Sequence, residues 1–262
     1  MYAMTALNAK SFIIDLLLAS GGQTLSIKQL LQAAKLLDIR ENNIRVAVTR
    51  LCAENKIEAV ARGQYKLSAN TEHWGSIIIH RNVAIRSTKI WNQHYIAVLT
   101  ITLGRTDRTA LNQREKILHR AGFRELEIGF FIRPDNLSLD LNQLQHELIQ
   151  QGLEKDALFL QISDFDQAIH RKIPTLWESQ QLNQRYQKYH VKISQWLTHY
   201  QNMDIENIAR ESFLLGRETI ALMLTDPLLP SPFVDEQLRS EFFKVVLALD
   251  HIGQETWHKL NH

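Results

Sequence analysis

Arg45, Thr49 and Arg50 are the residues whose type and spacing first suggest chemistry with a partner. Ile44, Val48 and Leu51 recur at four- and three-residue intervals, which is the spacing of one buried helix face. Arg45, Thr49 and Arg50 are left off that face. Arg45 so placed can pair with the two acceptors on the major-groove edge of guanine, whereas Arg50 can turn toward phosphate instead. Asn42 and Asn43 precede them. Their side-chain oxygens can cap the helix start, and they can also reach bases or phosphates. The run Ile57 to Ser68 follows at once. Ile57–Val60 and Gln64–Leu67 are strand-like and join across Arg62–Gly63, where glycine permits the positive φ of a tight hairpin. Arg62, Gln64 and Lys66 give this ribbon a basic tip suited to a phosphate backbone or a minor groove. The competing interpretation is an ordinary solvated helix face with salt bridges, next to a solubilising turn.

An outward-facing Arg/Thr/Asn helix followed by a basic hairpin is the layout of a winged helix-turn-helix. Such a module needs two more helices to hold the third. The sequence supplies them. Ser11 is a plausible cap for a helix to Ala19, with Phe12, Ile13, Leu16 and Leu17 on its apolar face and Gly21–Gly22 ending it. Ser26 can cap a second helix through Leu37, with Ile27, Leu30, Leu31 and Ala34 at helical spacing. Asp38 to Glu41 forms the turn into the third. In modules of this type the third helix enters the major groove and the hairpin touches DNA nearby.

Charge is distributed to match. The chain of 262 residues has a formal net charge of only +2. Residues 1 to 93 hold 12 Lys/Arg against 6 Asp/Glu, whereas residues 94 to 262 hold 18 against 22. The basic excess therefore lies on the candidate module, where it would replace counterions on phosphates. Length and composition fit two or three domains of an ordinary globular protein. The single Cys52 excludes an internal disulfide framework and a Cys-rich zinc site. No apolar run reaches the roughly 18–20 residues needed to span a bilayer, and no secretory leader pattern is present. The expected location is the cytoplasm.

Residues 1–70 are thus assigned to the winged-helix domain. Residues 71–94 form a linker, with a short apolar run at Ile77–Ile79 and a helix or extended connector at Val83–Trp91. Residues 95–173 alternate. Tyr95–Leu103 reads as a central strand, Thr109–Arg120 as a helix, Glu125–Ile132 as a strand ended by Pro134, Leu141–Gln150 as a helix and Ala157–Ile162 as a strand. This alternation suggests a small ferredoxin-like α/β domain. Residues 174–262 return to helix: Trp177–Tyr200, Ile205–Leu224 and, after a proline-rich break, Asp235–His258. The expected class is α+β, with an N-terminal winged helix-turn-helix, a central ferredoxin-like domain and a C-terminal helical domain.

Other groups offer weaker chemistry. In the loop Gly104–Arg108, Arg105 and Arg108 could hold phosphates at a helix N-terminus, although Asp107 as a helix cap explains the loop as well. The histidines show no metal-ligand spacing, so no metal is expected. Cys52 reads as a small packed residue, not a redox sensor. Tyr186, Tyr189, Trp196 and Tyr200 can line a pocket, but at helical spacing they fit a core. No nucleophile elbow, P-loop or dinucleotide loop is present. Tyr95–Leu103 lacks an acidic residue for metal-dependent cleavage of nucleic acid. The chain is therefore expected not to be an enzyme and to need no cofactor.

Four segments, in order, resemble one family. IRVAVTRL with RGQYKLS is similar to the N-terminal domain of the PaaX family, the phenylacetic acid degradation repressors. GFRELEIGFFIRP resembles its middle segment, LWESQQLNQRYQKY the opening of its C-terminal domain, and DPLLP at Asp226–Pro230 its Asp-Pro-x-Leu-Pro signature. One departure is PFVDEQL, which stands where the family tends to carry a Trp-Pro-Gly type turn. The resemblance implies a homodimeric transcriptional repressor on a palindromic double-stranded DNA operator. It also implies release by an aryl-CoA thioester such as phenylacetyl-CoA, for which Arg105 and Arg108 are the candidate contacts. The alternatives are a winged-helix scaffold or adaptor and, further off, a nucleic-acid-processing enzyme.

Overall fold

A computed structural model describes residues 7–20, 23–68 and 87–261. It is a mixture of helices and two small antiparallel sheets, as an α+β chain should be. The apolar run Ile77–Ile79, the first part of the Val83–Trp91 connector and the Gly21–Gly22 pair lie outside the described residues. Packing groups the rest into two compact units. One takes the described residues up to 68 together with 191–224 and those from 244 onward. The other takes those from 87 to 190 together with 225–243.

In the first unit, α1 (Ala9–Ala19) begins one turn earlier than Ser11 suggested. Asn8 is its cap: Asn8 Oδ1 accepts the N–H groups of Lys10 and Ser11, both at 3.0 Å. Ser11 Oγ accepts the N–H of Asn8 in return at 3.1 Å, so Ser11 is the third residue of a capping box. Strand β1 (Leu25–Ser26) leads into α2 (Ile27–Leu36). Ser26 caps α2 as expected, and Gln29 Oε1 accepts the Ser26 N–H at 2.8 Å. Helix α3 (Glu41–Ala53) and the hairpin β2 (Ile57–Ala61) and β3 (Gln64–Leu67) complete the module. The sheet order is β1-β3-β2, with Ile57 opposite Leu67 and a register shift at Ala59/Ala61.

Phe12, Leu17, Leu30, Ile44, Leu51, Ile57 and Leu67 share one core. Helix α8 (Ile205–Leu224) enters the same core through Phe213, and α9 (Glu236–Asn261) packs Trp257 against it. The rings of Phe12 and Phe213 meet edge to face at 5.6 Å. Asp15 of α1 and Arg217 of α8 form an ion pair at 2.5 Å.

The second unit carries a four-stranded sheet in the order β5-β6-β4-β7. Its chain order is β4 (Tyr95–Leu99), α4 (Arg108–Arg120), β5 (Arg124–Glu127), β6 (Phe130–Pro134), α5 (Leu141–Gln150) and β7 (Leu158–Ile162). Two expectations are corrected here. The first strand ends at Leu99 and a 3₁₀ turn takes Ile101–Leu103. The segment expected as one strand, Glu125–Ile132, is a hairpin turning at Ile128–Gly129. Gly129 has φ +71°, and a side-chain carbon on it would lie 3.0 Å from the Ile101 backbone, so only glycine fits without displacement. Ile96, Val98, Phe131, Ile117, Leu118, Leu144 and Leu148 form the core between strands and helices.

A short helix, α6 (Gln167–Lys172), was not expected from the sequence. Helix α7 (Ser179–His199) follows and, like α9, has residues in both units. The Asp-Pro-x-Leu-Pro segment is a buried turn. Asp226 accepts the Tyr186 hydroxyl and the Leu228 N–H, the latter at 2.8 Å, and thereby holds Leu228 at φ +52°. In the departing segment, Phe233 packs between Trp91 (5.3 Å) and Trp177 (5.2 Å). Among the described residues, no helix is long and apolar enough to cross a membrane.

Candidate nucleic-acid interface

The geometry of α3 follows from its buried stripe. Ile44, Ala47, Val48 and Leu51 are all buried, so the helix can present only its other side. Asn42, Asn43, Arg45, Val46, Thr49, Arg50 and Ala53 are exposed. At 3.6 residues per turn, Asn42, Val46, Thr49 and Ala53 form the ridge farthest from the core, with Arg45 on one flank and Arg50 and Asn43 on the other.

Asn42 and Asn43 were expected to cap this helix, and they do not. The helix begins at Glu41, its cap position is Arg40, and no side chain caps it. Glu41 supplies the negative charge that the N-terminal dipole favours. Both asparagines are thereby left as solvent-facing residues of the first turn. Thr49 is partly engaged, since its hydroxyl donates to the Arg45 carbonyl at 3.1 Å. Among the described residues, Arg45, Arg50 and Arg62 form no ion pair. Three cations without carboxylates on one module carry charge that a polyanion can neutralise.

The hairpin places its three candidates unequally. Arg62 is exposed at the turn, beside Gly63 at φ +70°. Gln64 is half-buried, opposite Ser26 in the sheet. Lys66 is half-buried and pairs with Glu58 across the ribbon at 2.8 Å. Arg62 is thus the outward cation of the tip.

The sequence-based choice of residues took the polar positions of α3 and passed over Val46, which is 42% exposed on the outermost ridge. Its spacing, four after Asn42 and three before Thr49, is legible once the buried stripe is fixed. Arg40, exposed at the helix entry, was also passed over.

The other candidate, the loop before α4, satisfies itself. Asp107 accepts the N–H groups of Thr109 (2.8 Å) and Ala110 (3.1 Å), taking the helix N-terminus that a phosphate would use. Arg105 lies 3.5 Å from Glu125. Arg114, only 2% exposed, donates to the Gly104 carbonyl at 3.1 Å and pairs with Glu154 at 2.6 Å, tying the loop to its helix. Arg108 is exposed. Burial pushes the Cys52 thiol up, away from a reactive thiolate. Tyr186, Tyr189 and Trp196 are buried, and Tyr200 stacks on Trp196 at 5.2 Å, so the aromatic set is packing. Among the described residues, no group of three potential ligands could hold a metal ion.

Comparison with known proteins adds one family match, confined to the N-terminal part of the chain. Residues 8–71 match the family model described as PaaX-like protein. Over those residues the chain is similar to that family. The match spans α1, α2, α3 and the hairpin, the elements that build the exposed face. The uncharacterized protein Rv0674 from Mycobacterium tuberculosis has a similar structure, with a TM-score of 0.59 and 22% identity. The alignment covers 96% of this chain and 99% of that one, so the likeness in fold extends well beyond the PaaX-like module. No curated protein matches the chain.

Proposed function

We propose that the chain is a transcriptional repressor whose PaaX-like module is a winged helix-turn-helix bound to operator DNA, with α3 in the major groove and the β2–β3 hairpin as the wing. The second unit, with its β-α-β-β-α-β order, is on this proposal ferredoxin-like and part of the regulatory apparatus. The observation that carries the proposal is the outward face of α3: Asn42, Asn43, Arg45, Thr49 and Arg50 exposed together, the arginines without carboxylate partners among the described residues. Base edges would be read by Arg45 and the asparagines, and phosphates held by Arg50 and, on the wing, chiefly by Arg62, with Gln64 and the already paired Lys66 as minor contacts. A homodimer would place two such helices on paired half-sites. The regulated genes would be those of an aromatic-acid catabolic operon of phenylacetate type, in the cytoplasm.

Release would come from an aryl-CoA thioester that favours the DNA-free state. Arg105 and Arg108 are its proposed phosphate contacts. Because Asp107 holds the helix N-terminus, those contacts would run through the guanidinium groups alone.

A gel shift on the DNA upstream of the protein's own gene and its neighbours, repeated with a panel of aryl-CoA thioesters, tests both parts. Binding at low salt, abolished by one thioester, is the expected result. No binding at low salt overturns the repressor; binding indifferent to every thioester overturns the effector.

A further inference from the structure

The outermost ridge of α3 is not uniformly polar. Asn42, Val46, Thr49 and Ala53 lie along it, and Val46 holds its centre at 42% exposure. The four residues three and four positions away, Asn42, Asn43, Thr49 and Arg50, are polar and exposed, so the valine is an isolated apolar group inside a polar face. Scattered exposed apolar residues are normal on protein surfaces. This one sits at the point of the helix that would penetrate deepest into a groove. Its neighbour Thr49 already uses its hydroxyl proton on the Arg45 carbonyl, so the centre of the ridge is poor in donors.

A major groove presents one apolar feature, the C5-methyl of thymine. Resting on the DNA-binding proposal above, we propose that Val46 is a specificity-determining residue that reads a thymine methyl in each half-site. Asn42 and the flanking arginines would read or hold the polar groups on either side. Packing the valine methyls on the thymine methyl removes apolar surface from water on both partners, and one methyl group is worth on the order of a fourfold change in affinity. A polar base edge at the same position would lose its water to the valine and gain no hydrogen bond, so the residue also selects against cytosine and guanine there.

The test uses the 262-residue chain and its highest-affinity sequence selected from random DNA. Each thymine in the protected region is replaced in turn by deoxyuridine, which differs only by the missing methyl. Wild type should lose about fourfold affinity at one position per half-site. Val46→Ala, which keeps a strong helix former at an exposed site, should fold as wild type. It should bind the thymine and uracil versions of that position equally. Wild-type indifference to every replacement overturns the proposal, and so does a Val46→Ala variant that still discriminates as wild type does. Failure of wild type to bind any DNA at low salt overturns the DNA-binding proposal itself, and this one with it.

Discussion

Removing Arg62 should change the salt dependence of DNA binding, whereas removing Lys66 should hardly do so. Both cations lie on the same hairpin, but their surroundings differ. Arg62 is exposed at the turn and has no carboxylate partner among the described residues, while Lys66 is half-buried and pairs with Glu58 at 2.8 Å. A cation already neutralised releases fewer counterions from DNA. Each phosphate fully neutralised contributes about −0.9 to the slope of log affinity against log salt. Arg62→Ala should therefore make the slope shallower by about 0.9 per half-site, or about 1.8 for a dimer on two half-sites. Over a fourfold rise in salt, one lost contact corresponds to about a 3.5-fold change in the relative affinity of wild type and variant. Lys66→Ala should move the slope by well under half as much. Neither exposed nor half-buried hairpin substitution should alter stability by more than about 0.5 kcal/mol. Fluorescence anisotropy titrations between about 50 and 200 mM salt measure the slope, and thermal melts check the fold. Equal slopes for Arg62→Ala and wild type, or a Lys66→Ala change as large as that of Arg62→Ala, would refute the assignment of Arg62 as the phosphate contact of the wing.

Four further outcomes are expected. Arg45→Ala should weaken operator binding by about 1–3 kcal/mol if the contact to guanine is bidentate, and an unchanged affinity in a filter-binding assay removes Arg45 from the base-reading set. Phe213→Ala should cost about 3–5 kcal/mol in urea unfolding, because Phe213 is 6% exposed between Phe12 and Trp257; a loss below about 1 kcal/mol would mean that α8 is not part of that core. The Glu154 carboxyl is held below its ordinary value of 4.5, chiefly by hydrogen bonds from Arg114, so the stability it adds is present above pH 4.5 and is lost as pH falls through its lower folded value. Glu154→Gln should flatten that part of the acid-unfolding curve, and an unaltered curve would dismiss the pair as a source of acid sensitivity. Finally, an aryl-CoA effector should raise the melting temperature while releasing DNA, since release requires tighter binding to the DNA-free state; a thioester that releases DNA without any thermal shift would point to competition by some other route.

The sequence disclosed most where one local pattern dictates one structure. The spacing of Ile44, Val48 and Leu51 fixes the buried side of α3, and Gly63 marks the hairpin because few other residues adopt φ +70°. Ile205–Leu224 and Leu141–Gln150 have the bounds read from the sequence, and the structure adds Asp140 as the cap of the latter. It disclosed less where two local solutions compete. Ser11 and Asn8 are both good caps, and their reciprocal capping box makes Asn8 the start. Glu125–Ile132 alternates like one strand, but Gly129 at a close approach to Ile101 makes it turn. Asn42 and Asn43 looked like caps because their type favours caps, yet the turn before them ends at Arg40 and carries them into the helix. On the proposed site, residue type points to polar groups, and the exposure of Val46 becomes legible only once the buried stripe is fixed.

What no local pattern could disclose is what holds α3 in place. The core behind it contains Phe213, and Trp257 packs against that core, so residues more than 160 positions away help to set the base on which the exposed face of α3 rests. Arg217 adds a charged tie to Asp15 of α1. Burial raises the Asp15 carboxyl and Arg217 opposes that rise, so each depends on the other staying in place. On the repressor proposal, release from DNA would need two states of one element that both DNA and effector bias. The exposed face of α3 can supply the DNA side of such a coupling. For the other side, a change that moves Phe213 or Arg217 acts on α1 directly and on α3 through the shared core, because packed cores transmit strain and do not yield smoothly. On the repressor proposal, release would act through α8 and its hold on α1.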